Sequence, residues 1–154
     1  MCTSKRRLDG KTVVITGCNT GIGKITAADM CRRGARVVML CRDLTRAEPA
    51  AEDIRKETQG EVVVEKMDLA SLDSIKECVE RMKKNIDKID ILINNAGVMM
   101  CPLYRTKDDF EMQIGTNHFG HFYLTNLLLP LIKKAGKGSR IVTLSSAAHR
   151  YSSY

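Results

Sequence analysis

The chain of 154 residues has no tryptophan, three prolines and only 5% aromatic residues. So few rings leave little for the base-stacking platforms on which single-stranded nucleic acids are bound. Nor does any apolar run approach the roughly 20 residues needed to cross a bilayer, and residues 1–9 contain no signal-peptide apolar core. Taken alone, the chain reads as soluble and cytoplasmic. No Cys-x-x-Cys pair and no zinc-ligand spacing occur, because Cys2, Cys18, Cys31, Cys41, Cys78 and Cys101 are scattered. Scattered thiols suit a reducing compartment, where they serve as small apolar side chains. His118 and His121 stand three apart with no Cys or carboxylate cluster beside them, so no metal site is expected. The one excess is positive charge, +7 overall. Its Lys and Arg residues are spread over many segments, and Lys83-Lys84 and Lys133-Lys134 fall near helix ends, where cations favour the helix dipole. That is a solvated surface, with some charge left for an anionic small molecule, and no nucleic-acid partner is expected.

What is present alternates regularly. Short runs rich in Val and Ile fall at 13–16, 37–41, 62–67, 89–93 and 141–144, each suited to a strand buried on both faces. Helical periodicity fills the gaps. Gly23, Thr26, Ala27, Met30 and Gly34 share one side of a first helix. Ala47, Ala50, Ala51, Ile54 and Thr58 form a second stripe. Ile75, Cys78, Val79, Met82 and Ile86 form a third, with Ser71 as N-cap. A longer helical stretch spans about 113–134 and is expected to break at Pro130, while Pro49 fits only in the first turn of its helix. Strand alternating with helix through short connections means a parallel sheet with right-handed crossovers. The expected fold class is α/β, a doubly wound parallel sheet (a Rossmann fold) in its N-terminal five-stranded portion, as one domain over residues 1–154.

The most specific segment is K-T-V-V-I-T-G-C-N-T-G-I-G at 11–23. An apolar strand runs into a turn where Gly17, Gly21 and Gly23 carry no side chain, and then into a helix start. Such a turn lets a pyrophosphate approach the helix N-terminal N–H groups. Four strand ends add to it. After the second, Cys41 occupies the place where an acid would take a ribose 2′-hydroxyl, and Arg42 follows, either as the fork for a 2′-phosphate or as a solvated loop residue. After the third, Asp68 either accepts from an adenine amino group or serves the turn. After the fourth, Asn94-Asn95-Ala96-Gly97 offers amides to brace neighbouring strand ends and small residues that leave room for a flat cofactor. After the fifth, Ser145 and Ser146 supply hydroxyls or begin an ordinary loop.

In order and position, T-G-x3-G-I-G, N-N-A-G, the Asn of T-N-H-F-G-H-F and the S-S strand end resemble the short-chain dehydrogenase/reductase family over nearly the whole chain. G-C-N-T-G-I-G-K, L-C-R-D-L, D-I-L-I-N-N-A-G-V-M and the opening C-T-S-K are similar to its retinol dehydrogenase branch. The resemblance implies NADP(H) as cofactor and a lipophilic alcohol or carbonyl compound, such as retinol or retinal, as substrate. It implies that Gly17, Asn19, Gly21, Ile22 and Gly23 hold the pyrophosphate, that Arg42 meets the 2′-phosphate, and that Asp68 and Leu69 meet the adenine. Asn95, Ala96 and Gly97 would then form the wall beside the adenosine. Asn117 would support a proton-relay water, and Ser146 would bind the substrate oxygen. One part of the family pattern is absent: no Tyr here is followed four residues on by Lys, since Tyr104 leads to Asp108 and Tyr123 to Leu127. The resemblance places that pair about two dozen residues past Ser146, so it reads as cut off. Thr143 also stands where the family often has Asn. The chain alone is therefore expected to be inactive, with a non-catalytic dinucleotide-binding fragment or isoform, or a carbonyl or protochlorophyllide-type reductase, as the other readings. A longer form carrying an anchor would associate peripherally with the endoplasmic reticulum or mitochondrial membrane, and a homo-oligomer is also compatible. The fifth strand, left as an edge, and the helix around Phe119, Phe122, Leu127 and Leu128 are expected to expose apolar surface.

Overall fold

The computed structural model describes residues 4–151. Cys2 and Thr3 of the opening C-T-S-K lie outside them. Five strands, β1 (Thr12–Thr16), β2 (Arg36–Cys41), β3 (Val62–Lys66), β4 (Ile91–Asn94) and β5 (Arg140–Thr143), form one parallel sheet in the order β3-β2-β1-β4-β5. The chain thus builds outward from β1 to one edge, then crosses back to build the other. Helices α1 (Gly21–Arg32) and α2 (Leu44–Thr58) cover one face, and α3 (Leu72–Asn85) and α5 (His121–Lys134) cover the other.

The two-layer cover explains the unbroken apolar runs of the central strands. Val13 and Ile15 of β1 and Val37, Met39 and Cys41 of β2 pack under α1 and α2, whereas Val14, Val38 and Leu40 pack under α3 and α5. Burial on both faces, expected for every strand, holds for β1 and β2 but fails for β5, all four residues of which are exposed. An edge strand has one neighbour, and no described element covers its outer side. The α2 and α3 stripes lie buried as the periodicity requires, and the Ser71 hydroxyl caps α3 by accepting from Ser74 N–H at 3.3 Å. In α1 the buried set is Gly23, Ala27, Ala28 and Cys31, with Thr26 half-buried. Gly23 sits so close to the end of β4 that a Cβ there would lie 2.6 Å from Asn95 Nδ2, which fixes the rotation of the helix.

Neither proline behaves as expected. Pro49 lies in the second turn of α2, and Pro130 lies within an uninterrupted α5. Both are exposed, so each freed carbonyl faces water while the opposite face stays packed. The expectation that Leu128 would be exposed is also overturned. It is fully buried against α3, although Phe119 and Phe122 do face solvent. Ahead of α5 the chain makes one short turn, α4 (Met112–Ile114), and then a six-residue π-helical segment, Gly115–Gly120.

Candidate functional site

The carboxyl ends of the strands converge on a cleft of about 670 Å³. It opens where the winding direction reverses, between β1 and β4, the place where open α/β sheets bind ligands. Gly17, Asn19, Gly21, Ile22, Gly23, Arg42, Asp68, Leu69, Asn95, Ala96 and Gly97, which the sequence assigns to cofactor binding, all line it. Asn117 and Ser146 do not. Asn117 lies in the π segment just behind the wall, and Ser146 lies past β5, exposed, its Oγ accepting from Ala148 N–H at 3.1 Å.

The loop is built for close approach. Gly17 adopts φ +62° and Gly21 φ +54°, the left-handed region that glycine enters without a Cβ penalty. A Cβ on Gly17 would lie 2.7 Å from the Ala96 Cβ, so the loop and the wall touch backbone to backbone. Gly21 has nothing within 4 Å of the same position and borders open cleft. Helix α1 begins there with Thr20 as N-cap, whose side chain makes no capping bond, and with no acid in its first turn. Its leading N–H groups are thus left for an anion.

Asn95 locks the far wall to this loop, its Nδ2 donating to the carbonyls of Thr16 at 2.9 Å and Gly17 at 3.0 Å. Asn94 braces the sheet, donating to Thr125 Oγ1 at 3.1 Å and to Thr143 Oγ1 at 3.4 Å. Asp68 serves the turn through Oδ1, which accepts from Ala70 N–H at 2.9 Å. Among the described residues its Oδ2 has no partner and remains available at the cleft. Arg42 forms no ion pair or hydrogen bond among the described residues, and neither does the guanidinium of Arg46, which also lines the cleft from the first turn of α2. Two unpaired cations therefore stand at the β2 end. Arg46 escaped the sequence reading, although its place three residues after the N-cap Asp43 could have signalled it.

Cys41 sits beside them, 4.0 Å from Cys18 across the loop. The hydrogen bond it shares with Cys18, working against burial, brings the Cys41 thiol down to about 7. Deeper in, His121 is buried against Thr16, and desolvation holds its imidazole below the usual range despite a bond to the Asn117 carbonyl. Neither Thr16 nor His121 carried a role in the sequence reading. Among the described residues, no three His, Cys, Asp or Glu side chains gather as metal ligands, and no helix is long and apolar enough to cross a membrane.

The cleft fits a dinucleotide on its own terms. Glycine sites keep side chains out of the turn, uncapped helix N–H groups face it, and two free guanidinium groups and a carboxylate oxygen line it past the ends of β2 and β3. The family model for short chain dehydrogenases matches residues 11–154. Human retinol dehydrogenase 13 is 54% identical over 149 residues, covering 96% of this chain and 45% of that protein. Mouse retinol dehydrogenase 12 is 51% identical over 150 residues, covering 97% and 47%. A structure assigned to the short chain dehydrogenases, from Escherichia coli CFT073 and complexed with NADPH, superposes with TM-score 0.83 at 27% identity, over 96% of this chain and 63% of that one. The chain spans less than half the length of the curated relatives it matches.

Proposed function

The chain belongs to the short chain dehydrogenase family, in its retinol dehydrogenase branch, and from that premise we propose that it forms the NADP(H)-binding half of an oxidoreductase acting on retinol, retinal or a similar lipophilic alcohol or aldehyde. The nicotinamide supplies or accepts the hydride when the cofactor is bound. The chain's own residues bind and orient. The loop of Gly17, Gly21 and Gly23 and the start of α1 hold the pyrophosphate, Arg42 and Arg46 take the 2′-phosphate, and Asp68 Oδ2 accepts from the adenine amino group. Asn95, Ala96 and Gly97 form the flat wall beside the adenosine. Ser146 would hydrogen-bond the substrate oxygen, and Asn117, whose carbonyl has a second lone pair, would support the proton relay. The full sequence holds no Tyr four residues before a Lys. At the pKa of about 10 of an unassisted phenol, a stray tyrosine is a poor acid or base near neutrality. The 154 residues by themselves therefore bind cofactor without turning it over, and peripheral membrane association would belong to a form carrying an anchor.

The observation that carries the cofactor preference is the pair of unpaired guanidiniums where Cys41 replaces an acid. Titration of the chain with NADPH and NADH tests it. NADPH should bind tighter, and Arg42→Asp should weaken NADPH by about 10- to 100-fold, the loss of a charge-assisted contact of about 1.5–3 kcal/mol. NADH should bind that variant no more weakly. An unchanged ratio would make Arg42 a solvated loop residue, and no binding of either dinucleotide would remove the proposal altogether. Reduction of all-trans-retinal by the chain and NADPH would refute the claim of inactivity.

A further inference from the structure

Thr16, the last residue of β1, has a hydroxyl with every capacity taken. Its Oγ1 lies 3.0 Å from the backbone nitrogen of Asn95 and 3.0 Å from that of Ala96, both obligate donors. These fill the two lone pairs of a hydroxyl, leaving only the O–H to give. The remaining neighbour, 2.8 Å away, is His121 Nε2, which must then be a bare acceptor. A neutral ring with a bare Nε2 carries its proton on Nδ1, and Nδ1 lies 2.9 Å from the main-chain carbonyl of Asn117, which can only accept. Both ends of the ring therefore demand the same tautomer. A doubly protonated ring would aim an N–H at an oxygen with no free lone pair, and burial of the ring opposes that charge as well.

The π segment is what delivers the carbonyl. The backbone N–H of His121 donates to the His118 carbonyl, so the ring of His121 meets the Asn117 carbonyl in its place. The Asn117 side chain closes the path, Oδ1 accepting from Val98 N–H and Nδ2 donating to the Val98 carbonyl, each at 2.8 Å. The bonds form a circuit: Asn95 and Ala96 to Thr16, Thr16 to His121, His121 to Asn117, and Asn117 to Val98. Inside that circuit sit Ala96 and Gly97, the wall of the cleft.

We infer that His121 is a positioning residue: as the neutral Nδ1–H tautomer it is a strut that sets the 95–98 loop and Asn117 in one register with the glycine loop. The inference rests on the reading that this loop is the wall of a dinucleotide site. Cutting the circuit at any member should loosen the wall and weaken cofactor binding, whereas a histidine that merely fills the core would change stability and leave binding alone.

Two measurements test this. In the 15N-labelled chain at neutral pH, long-range proton–nitrogen correlations of the His121 ring should show Nδ1 protonated and Nε2 bare. A proton on Nε2 would overturn the inference, and this readout needs no ligand and no variant. NADPH titrations of His121→Phe, Thr16→Val and the double variant then read the coupling. Each single change should weaken binding by roughly tenfold, and the pair by little more than the larger single effect, because both cut one path. Additive losses, or His121→Phe binding as tightly as the parent, would overturn it. Should His121→Phe not fold, Thr16→Val decides: the ring spectrum must change when the O–H is removed. A parent chain that binds no NADPH while showing the expected tautomer would refute the dinucleotide reading and leave the circuit standing.

Discussion

Replacing Gly17 by alanine should cost far more stability than the same change at Gly21, although both residues have positive φ. The left-handed conformation alone costs a residue with a Cβ about 1–2 kcal/mol. At Gly21 that is the whole effect, since nothing lies within 4 Å of the added carbon. At Gly17 the new carbon would lie 2.7 Å from Ala96 Cβ and 2.8 Å from Ala96 Cα, where carbon pairs favour roughly 3.5–4.0 Å. The backbone has little room to yield, because Gly17 N–H donates to the Leu40 carbonyl at 3.0 Å and the Gly17 carbonyl accepts from Asn95 Nδ2 at 3.0 Å. Overpacking adds about 1–3 kcal/mol, for a total of about 2–5 kcal/mol against about 1–2 at Gly21. Urea unfolding followed by far-ultraviolet circular dichroism separates the two. A second change, Ala96→Gly, removes the clash with the Ala96 methyl group but not the one with the main chain behind it, so it should rescue Gly17→Ala only in part. Equal losses at Gly17 and Gly21, or full rescue, would refute the close-approach reasoning.

Asp90 joins the starts of β1 and β4, accepting from Thr12 N–H at 3.0 Å and Lys11 Nζ at 2.9 Å. Burial raises its pKa, but those two partners more than offset this and hold it below the ordinary carboxylate range. A lowered folded-state value means stability that is present above pH about 4 and lost as pH falls below it. Asp90→Asn should remove that acid-dependent part and cost about 1.5–3 kcal/mol at neutral pH, read from urea midpoints between acid and neutral pH; a flat pH dependence in the parent would refute it. Cys101, the one cysteine of the described residues that is not buried, should be alkylated by iodoacetamide, as read by peptide mass spectra. Cys78, pushed by burial up to about 12, should stay unmodified in the same spectra, and equal labelling of the two would contradict this. Finally, β5 exposes Ile141 and Val142, with Leu144 just beyond, each 40–46% accessible at a sheet edge. Association that rises with concentration is expected by sedimentation, and Val142→Lys should reduce it, as charged edges do; a strictly monomeric parent would show the edge to be harmless.

The sheet could be read from the sequence because its central strands carry unbroken apolar runs, 13–15 in β1 and 37–41 in β2, and only a two-sided cover makes such runs stable in water. Most of the cleft residues were legible for a related reason: they stand at or just past the carboxyl end of a strand, so locating the strand locates them, whereas Arg46 sits inside α2. What escaped notice depends on geometry that periodicity does not encode. A one-residue widening of a helix leaves the 3.6-residue pattern nearly intact, so the π segment and the ring it aims at Asn117 could not be seen. His121 looked like half of an unsupported metal pair, although the partner that matters, Thr16, lies 105 residues away. Pro49 and Pro130 were misjudged because the cost of a proline depends on whether the freed carbonyl meets water or protein, and sequence alone does not say which.

The strand order also sets when the cleft can exist. β1, β2 and β3 pair with neighbours one helix away, so that half of the sheet can assemble early from short loops. The β1–β4 pairing must wait for a contact such as Thr12 to Asp90, which closes 78 residues of chain. Closing so long a loop is slow on topological grounds even where its entropic penalty grows only with the logarithm of length. During synthesis the glycine loop therefore emerges long before its opposite wall, and Gly17 stays open to solvent until Asn95 arrives. Dinucleotide binding would then report a late folding event, and ligand added during refolding should pull the final β1–β4 docking step forward while leaving the earlier assembly of β1 to β3 unchanged.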